Sequence, residues 1–530
     1  MDNKRVIIAL ALSFAILFGW QYIFPPPKTP AKTAEQAAPA EKPAPAPVPV
    51  QPATPIMDFA PAEGRTVSVK TPLYTAQFNS SGGVLEGFTL SRFKETIQPG
   101  SRNVDMVGDG ARTKAPLGLI LGGVPTWHQG RWAAPQGDLE MAGTESKTMV
   151  LTGESAGLAI ERKLTFKADS YLIQEQLTLS NAGAAPVQTR MSFTAASKRL
   201  STDDSSYNPT RVEYLFSGKS MEEKDKGALE KGVQETGALS WASINSNYFL
   251  FALLPQAEQA TLKTLLQDGI YRLAVDQDVQ IAPGASQTFH CSYYMGPMDR
   301  AILANMPAGL DKAVDFGWFH LLAVPLLWIL NWFYQFVHNY GISIILLTVL
   351  IKLLFWPLSQ KSYKSMNQMK KLQPMIQKLR EKYGDDKQRL NQEIMHLHKT
   401  YKVNPMGGCL PMIVQIPVFF GLYKALLGAV ELRHAPFISH VPFTDLIWLA
   451  DLSAKDPYYV TPLIMGATMF IQQKMTPSSG DPTQAKVMMF MPVVFTFLFL
   501  NFPSGLVVYW LVNNVLSIAQ QWGMTRSQTK

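Results

Sequence analysis

A few polar side chains stand in the apolar stretches of the carboxyl-terminal half of the chain. Lys352 is the only charge in the run GISIILLTVLIKLLFWPL (341–358), and Thr348 lies one helical turn before it, on the same face. A Lys near the centre of a bilayer costs about 2.5–3.5 kcal/mol, so such residues commonly mark function. Alternatively, the Lys352 side chain snorkels to the membrane surface. In the first case the ammonium group would attract acidic or polar segments.

Amide and hydroxyl side chains occur in the other apolar stretches. Gln415 lies between Pro411 and Pro417, and further polar groups are Asn501, Asn513, Asn514 and Ser517. Because polar groups facing hydrocarbon are costly, we expect these to converge on a shared interior or a water-filled cavity. Hydrogen bonding between helices would satisfy the Asn and Ser side chains equally well. No apolar stretch after residue 340 contains an acid that could pair with Lys352, which favours a cavity open to the cytoplasm.

Six apolar stretches predict the elements that would hold these side chains. The first is an amino-terminal anchor over 1–24, and the other five span 341–358, 406–430, 458–473, 487–502 and 506–521. Lys4 and Arg5 place the amino end of the anchor in the cytoplasm. The basic segment 361–403 and the short tail 523–530 then lie inside with both termini, and residues 25–340 and 431–457 lie outside.

The remaining segments have distinct compositions. Residues 25–56 form a Pro- and Ala-rich linker. Residues 57–310 contain alternating, β-branched runs, such as the predicted strands TVSVK (66–70) and YLIQEQLTLS (171–180), and these runs predict one large β-sandwich. The segment 315–338 is long enough to span but rich in aromatics, and only Asn339 and Tyr340 separate it from the next helix. We therefore expect 315–338 to be an interfacial amphipathic helix. Residues 361–403 predict a helical hairpin, broken near Gly384.

Two other functions were weighed against these patterns. A solute transporter coupled through Lys352 would be expected to show internal repeats and paired carboxylates in its spans, and the sequence shows neither. A sugar-active enzyme could use the β domain, where His128, Asp203, Asp204 and His290 are available but are joined by no motif. The net charge of +8 allows nucleic acid binding, but the basic hairpin beside a membrane suits RNA or lipid better than DNA.

Four runs carry a strong resemblance to a known family. They are LQPMIQKLREKYGDDKQRLNQE (372–393), NPMGGCLPMIVQIPVFFGLY (404–423), DPYYVTPLIMGATMFIQQKM (456–475) and FMPVVFTFLFLNFPSGLVVYWLVNN (490–514). These runs resemble the YidC-type membrane protein insertases, and the anchor, linker and β domain match the Gram-negative form. The resemblance implies a multi-domain protein of the bacterial inner membrane. Its all-α core has five transmembrane helices (341–522) plus the anchor, with a periplasmic β-supersandwich domain and a cytoplasmic hairpin.

The resemblance implies a function without an enzymatic reaction, a cofactor or a metal. Family members insert and fold nascent membrane proteins, alone or beside the Sec translocon, without nucleotide hydrolysis. The implied partners are nascent membrane proteins, Sec components, membrane lipids and, weakly through the basic hairpin and loops, the ribosome; DNA is not among them. A groove open to the cytoplasm would receive the polar tail of a client, while its apolar segment slides into lipid along the third and fifth spans.

The resemblance also implies roles for particular residues. The groove would contain Thr348, Lys352, Gln415, Trp510 and Asn513, and the hydrophobic slide would contain Ile413, Phe419, Val494 and Phe495. The family usually has Arg at the position of Lys352. A Lys keeps the positive charge but lacks the planar fork that binds a carboxylate in two places. A diffuse electrostatic attraction is therefore expected here rather than a bidentate clamp.

Overall fold

The computed structural model describes residues 64–128, 132–200, 207–384, 386–401, 403, 410–441, 443–475 and 482–527. The predicted anchor (1–24) and linker (25–56) lie outside these residues. The described chain forms a β domain followed by a helical region.

Nineteen strands make up the β structure of the described residues. They are β1 (Thr66–Lys70), β2 (Tyr74–Asn79), β3 (Leu85–Lys94), β4 (Asn103–Asp105), β5 (Leu119–Leu121), β6 (Val124–Pro125), β7 (Leu139–Glu140), β8 (Ser146–Ser155), β9 (Leu158–Lys167), β10 (Leu172–Ser180), β11 (Val187–Lys198), β12 (Arg211–Phe216), β13 (Lys219–Glu223), β14 (Val233–Gly237), β15 (Leu239–Asn245), β16 (Phe249–Pro255), β17 (Ala260–Gln267), β18 (Ile270–Ile281) and β19 (Ser286–Pro297). Short helices α1 (Asp109–Arg112), α2 (Lys226–Lys231) and α3 (Arg300–Leu303) accompany them.

The strands form three sheets that pack as a sandwich. Their orders are β4-β3-β2-β1-β7, β13-β12-β15-β16-β19-β10-β9-β8 and β14-β17-β18-β11-β5-β6. Along β9 the buried residues occupy every second position, because successive side chains point to opposite faces of a sheet. The sandwich predicted from alternation is thus confirmed. Long-range pairings, such as Leu172 of β10 with Tyr294 of β19, assemble it.

A buried ion pair ties the eight-stranded sheet to neighbouring loops. The Arg162 Nε atom donates to Glu175 Oε1 at 2.6 Å, Arg162 Nη2 donates to Glu175 Oε2 at 3.0 Å, and both side chains are fully buried. The Tyr293 hydroxyl donates to Glu175 Oε2 at 2.8 Å. Arg162 also donates to the carbonyl oxygens of Gly82 and Leu117. Two charges taken out of water are therefore satisfied by each other and by neutral partners.

A second buried carboxyl makes the β domain sensitive to pH. Burial raises the pKa of Glu213 to about 7, against hydrogen bonds from Asn245 and Ser220 that favour the ionised form. Because this pKa lies above the ordinary value of 4.5, the folded domain binds a proton that the unfolded chain lacks between these pH values. The free energy of unfolding should therefore fall as the pH rises through this window.

Replacing Glu213 by Gln is expected to remove that component of the pH dependence. The unfolding free energies of the variant and the parent protein are measured by urea titration at several pH values. The difference between them should change between about pH 4.5 and pH 7, because only the parent has the Glu213 carboxyl that titrates in this window. The exposed Glu230 on α2 provides the control, because Glu230→Gln should leave the pH profile of the parent unchanged. Parallel profiles for Glu213→Gln and the parent would contradict this prediction.

The helical region contains eight further helices among the described residues. They are α4 (His320–Val337), α5 (Tyr340–Leu354), α6 (Trp356–Tyr383), α7 (Lys387–Thr400), α8 (Leu410–Gly428), α9 (Val460–Met475), α10 (Pro482–Phe499) and α11 (Ser504–Ser527), with 3-10 turns at Pro307–Ala313, Gly317–Phe319 and Val430–Leu432. Asn339 caps the start of α5, since its side chain accepts from the Ile342 backbone N–H at 3.1 Å.

One predicted helix is interrupted. The sequence predicts a single span over 341–358, but α5 ends at Leu354 and α6 leaves it at an angle of 62°. Pro357 explains the break, because it cannot donate to the carbonyl of residue 353 and is instead favoured in the first turn of a new helix. The last residues of the predicted span therefore belong to α6. At the other end of the chain, α11 continues through 523–527 of the predicted tail.

The helices differ in how well their length suits a bilayer. Within the part of the chain that the structure describes, the stretch Gly317–Val337 alone is long and apolar enough to cross unaided. The bent pair α5 and α6 would count as another such stretch if both halves were taken together. Shorter apolar helical stretches with described side chains are Val414–Gly428 within α8 and Val487–Phe499 within α10.

The β domain contacts the loop that follows α8. The Arg433 guanidinium lies 5.1 Å from the centre of the Phe249 ring, and its Nη2 donates to the Glu95 carbonyl oxygen at 3.1 Å. The Tyr207 ring lies 5.1 Å from the ring of Phe502, between α10 and α11. These contacts hold the sandwich against one end of the helical region.

Candidate functional site

Lys352 begins a chain of hydrogen bonds that crosses three helices. Its Nζ atom donates to Ser517 Oγ at 2.7 Å, and the Ser517 hydroxyl donates to the Asn513 carbonyl oxygen at 2.7 Å. Gln415 Nε2 donates to Asn513 Oδ1, also at 2.7 Å. We call Lys352, Gln415, Asn513 and Ser517 the polar cluster. It joins α5, α8 and α11 at the depth of their apolar segments.

Helical spacing brings these side chains together. Asn513 and Ser517 are four residues apart on α11 and therefore share a face, as Thr348 and Lys352 do on α5. Thr348 is buried and donates to the Ile344 carbonyl oxygen of its own helix at 2.6 Å. The structure thus brings Lys352, Gln415 and Asn513 together, while the Thr348 hydroxyl is satisfied within α5.

Trp510 lies in a different environment from the other expected groove residues. Its ring is 4.7 Å from that of Phe419, 5.1 Å from that of Phe499 and 6.1 Å from that of Phe495. We call these four residues the aromatic cluster. It lies one turn closer to the amino end of α11 than Asn513, so apolar rings close one end of the polar cluster.

The expected slide residues divide between two surfaces. Phe419 and Phe495 pack into the aromatic cluster, whereas Val494 is exposed. Val494 belongs to an exposed apolar stripe on α10 that also contains Phe490, Val493, Phe497 and Leu498. The Ile413 side chain lies outside the described residues. An apolar surface of this kind, beside a polar cluster, suits lipid or another apolar segment.

Ser517 was among the polar groups expected to converge, but the groove residues implied by the resemblance did not include it. Its spacing of four from Asn513 was the available signal, since both fall on the face of α11 that meets α5. The cluster combines a cation with amides and a hydroxyl, and the Ser517 hydroxyl accepts from the Lys352 nitrogen while it donates to the Asn513 carbonyl oxygen. Such a set can attract and hydrate a polar or anionic chain.

Two of the four residues available for a sugar-active site, His128 and His290, lie in the described part of the β domain. His128 follows β6 at the edge of the six-stranded sheet, and His290 lies on β19 in the eight-stranded sheet, with both side chains exposed. Asp203 and Asp204 lie outside the described residues. The two histidines therefore belong to different sheets.

Comparison with known proteins covers almost the whole chain. Residues 66–329 match the family model of the YidC periplasmic domain, and residues 332–530 match that of the 60Kd inner membrane protein. A relative from Maridesulfovibrio salexigens, named membrane protein insertase YidC, is 55% identical over 536 residues and covers 99% of each chain. One of the same name from Geobacter metallireducens is 42% identical over 545 residues, covering 99% of this chain and 98% of its own.

A crystal structure of an active YidC insertase covers 88% of this chain and 94% of its own, at 20% identity and a TM-score of 0.37. The family assignment depends on the sequence matches, which extend over both the β domain and the helical region. The chain therefore belongs to the YidC family of membrane protein insertases.

Proposed function

We propose that this protein inserts nascent transmembrane segments into the bacterial inner membrane through a hydrophilic groove built around the polar cluster, and helps them fold. The observation that carries the proposal is the ammonium of Lys352, hydrogen-bonded to a hydroxyl across two helices at membrane depth. The groove opens toward the cytoplasm and is closed on the outer side by the aromatic cluster. The protein acts alone or with the Sec translocon, and without nucleotide hydrolysis.

The proposed topology has the anchor (1–24) and five core spans, formed by α5, α8, α9, α10 and α11, with both termini in the cytoplasm. The periplasmic β domain (57–310) follows the linker (25–56), and the interfacial helix (315–338) leads to the core (341–522). Arg433 supports this arrangement, because it joins the 431–457 loop to the β domain and so puts both on one side. The basic pair α6 and α7 (361–403) then lies on the other side, in the cytoplasm, before the tail (523–530).

In the proposed mechanism, the polar tail of a client enters water in the groove and is drawn toward Lys352. Its apolar segment passes along α8 and α10, over the exposed stripe that includes Val494, and leaves into lipid. Burial of that segment in hydrocarbon supplies the driving force, so no nucleotide is needed. The Lys352 ammonium is a compact charge and lacks the planar guanidinium of an Arg, which can bind both oxygens of a carboxylate. It therefore attracts clients through the sign of their charge and not through the geometry of one carboxylate.

The proposed partners follow from charge and position. Nascent membrane proteins enter the groove, and membrane lipids receive the apolar segments. The basic helices α6 and α7 suit a weak electrostatic contact with the ribosome, whose RNA is anionic. Sec components would meet the protein within the membrane, and no role in DNA binding is proposed.

Photo-crosslinking tests the proposal directly. A crosslinking residue is placed at Gln415 in the polar cluster or at Val494 on α10, and a stalled nascent membrane protein is supplied on ribosomes. We expect Gln415 to crosslink to the polar tail and Val494 to the apolar segment. The control position is Lys167 at the end of β9, which is exposed and belongs to the β domain rather than to the helical region. Equal crosslinking from Lys167 and Gln415, or none from Gln415, would contradict insertion through this groove.

A further inference from the structure

The loop between α8 and α9 contains a hairpin, described at residues 437–441 and 443–449, which we call the outer hairpin. The Phe437 backbone N–H donates to the Leu449 carbonyl oxygen at 2.9 Å, that of Trp448 to Ser439 at 3.1 Å, and that of Val441 to Leu446 at 2.8 Å. These bonds pair two short antiparallel segments. The tip of the hairpin, beyond the bond between Val441 and Leu446, therefore projects in a defined direction.

The outer hairpin is held at the amino end of α5. Asn339 Nδ2 donates to the Phe437 carbonyl oxygen at 3.1 Å. The Phe437 ring lies directly against Gly341, where any Cβ would collide with it. Because Gly341 belongs to the first turn of a proposed membrane span, these contacts place the base of the hairpin at the outer surface of the membrane.

The tip presents apolar side chains to its surroundings. Phe443 is fully exposed and Leu446 is 55% exposed. Phe443 also has a φ of +68°, in the left-handed region that a bulky residue rarely adopts. Such strain persists where the surrounding structure imposes it and commonly accompanies function. Here the Thr444 hydroxyl and backbone N–H both donate to the Val441 carbonyl oxygen at 3.0 Å, which holds the turn.

The tip continues an exposed apolar band. Trp332 and Phe336 near the end of α4, and Ile342 at the start of α5, are also exposed and lie at the same end of these helices. Two apolar side chains are far too few for a stable protein interface, which needs about 1,000 Å² of buried surface. They suffice for shallow contact with a bilayer, where each apolar group adds to the band already there.

We propose that the outer hairpin is a membrane-surface anchor whose Phe443 and Leu446 side chains enter the outer leaflet beside α4 and α5. This inference rests on the proposed topology, which puts residues 431–457 on the outer side. The exposed carboxylate of Asp445 lies between the two and keeps the insertion shallow, at the level of the head groups. The hairpin thereby braces the amino end of α5 against the membrane surface while clients move past the other end.

Spin labelling of the full-length protein in lipid nanodiscs measures whether the tip of the outer hairpin enters the bilayer. Cys409 is replaced by Ala, the buried Cys291 is kept, and a nitroxide is attached to Phe443→Cys. We expect the label to collide more with oxygen than with a water-soluble nickel chelate, at a depth of about 5–10 Å. A label at Leu446→Cys should behave similarly. The aqueous control is Lys167→Cys, exposed at the end of β9, which should favour the nickel chelate.

The possible outcomes distinguish insertion of the hairpin tip into lipid from exposure to water and from contact with a protein. They also distinguish failure of this proposal from failure of the proposed function. Labels at residues 443 and 446 that are as accessible to nickel as the Lys167→Cys label would overturn the anchor. Labels that are immobile and shielded from both reagents would indicate a protein partner or a second copy of the chain, and would also overturn it. The measurement needs no client and no insertion activity, so failure of the groove mechanism would be detected separately by crosslinking.

Discussion

Replacing Lys352 by Glu is expected to lower the insertion of clients with acidic tails by at least about tenfold, and that of clients with neutral tails by less than about threefold. The variant exchanges an attracting charge for a repelling one at the point where the proposed mechanism draws in the client tail. It also places a carboxylate beside the Ser517 hydroxyl, which can donate to it, so the helices remain joined. The loss therefore reports on electrostatics more than on packing.

The expected magnitude follows from Coulomb's law. At a separation of about 10 Å and an effective dielectric constant of about 20, one unit charge changes the interaction by roughly 1.7 kcal/mol. Reversing the charge doubles this change, although water in an open groove screens part of it. Since about 1.4 kcal/mol corresponds to a factor of ten, a loss of one order of magnitude is a conservative expectation.

The measurement compares one client with acidic residues in its translocated tail against the same client with Asn at those positions. Lys352→Arg is the matched control, because it retains the charge and should keep most of the activity toward both. Equal losses for both clients in Lys352→Glu would refute electrostatic capture, even if the family function is correct.

Removing Arg162 is expected to produce the largest change in the stability of the β domain. Arg162→Ala leaves the Glu175 carboxylate buried without its partner, which costs about 3–5 kcal/mol of unfolding free energy. It also removes the donors to the carbonyl oxygens of Gly82 and Leu117. Urea unfolding of the full-length protein in nanodiscs would measure the difference. The unfolded fraction of the β domain would be detected by its sensitivity to a protease.

The control is the exposed ion pair between Lys70 and Glu140, whose Nζ and Oε1 atoms are 3.0 Å apart. Lys70→Ala should change the unfolding free energy far less than Arg162→Ala does, because an ion pair in water gains little. If Arg162→Ala were as mild as Lys70→Ala, the buried pair would not be a central support of the sandwich.

Local patterns predicted the strands well but not the way they assemble. The run TVSVK was predicted to be a strand and is β1, and YLIQEQLTLS differs from β10 by a single residue at its start. Alternation identifies a strand because it reflects burial on one face. It says nothing about which strand comes next in the sheet, so the pairing of β10 with β19, or the parallel pairing of β1 with β7, could not be foreseen.

The polar cluster was partly foreseen for a similar reason. An isolated Lys in an apolar run is conspicuous, and the resemblance to the family, now confirmed, pointed to Gln415 and Asn513. Ser517 was named among the polar groups expected to converge, but the groove residues implied by the resemblance did not include it. Its hydroxyl bonds to the backbone of its own helix, as a Ser in a membrane helix commonly does. Trp510 was also expected in the groove; its ring contacts Phe419 and Phe499, which depends on the packing of three helices and is not visible in the sequence.

The shortness of α5 has a consequence for the lipid around it. Its 15 residues extend about 22 Å at about 1.5 Å per residue, whereas the hydrocarbon core of a bilayer is about 30 Å thick. In the proposed topology, a helix this short would draw the two leaflets together, at a cost of a fraction of a kcal/mol per Å of mismatch. The apolar part of α10, Val487–Phe499, is shorter still. Hydrophobic mismatch at these two proposed spans would make the thickness of the host membrane itself a determinant of how readily a client crosses.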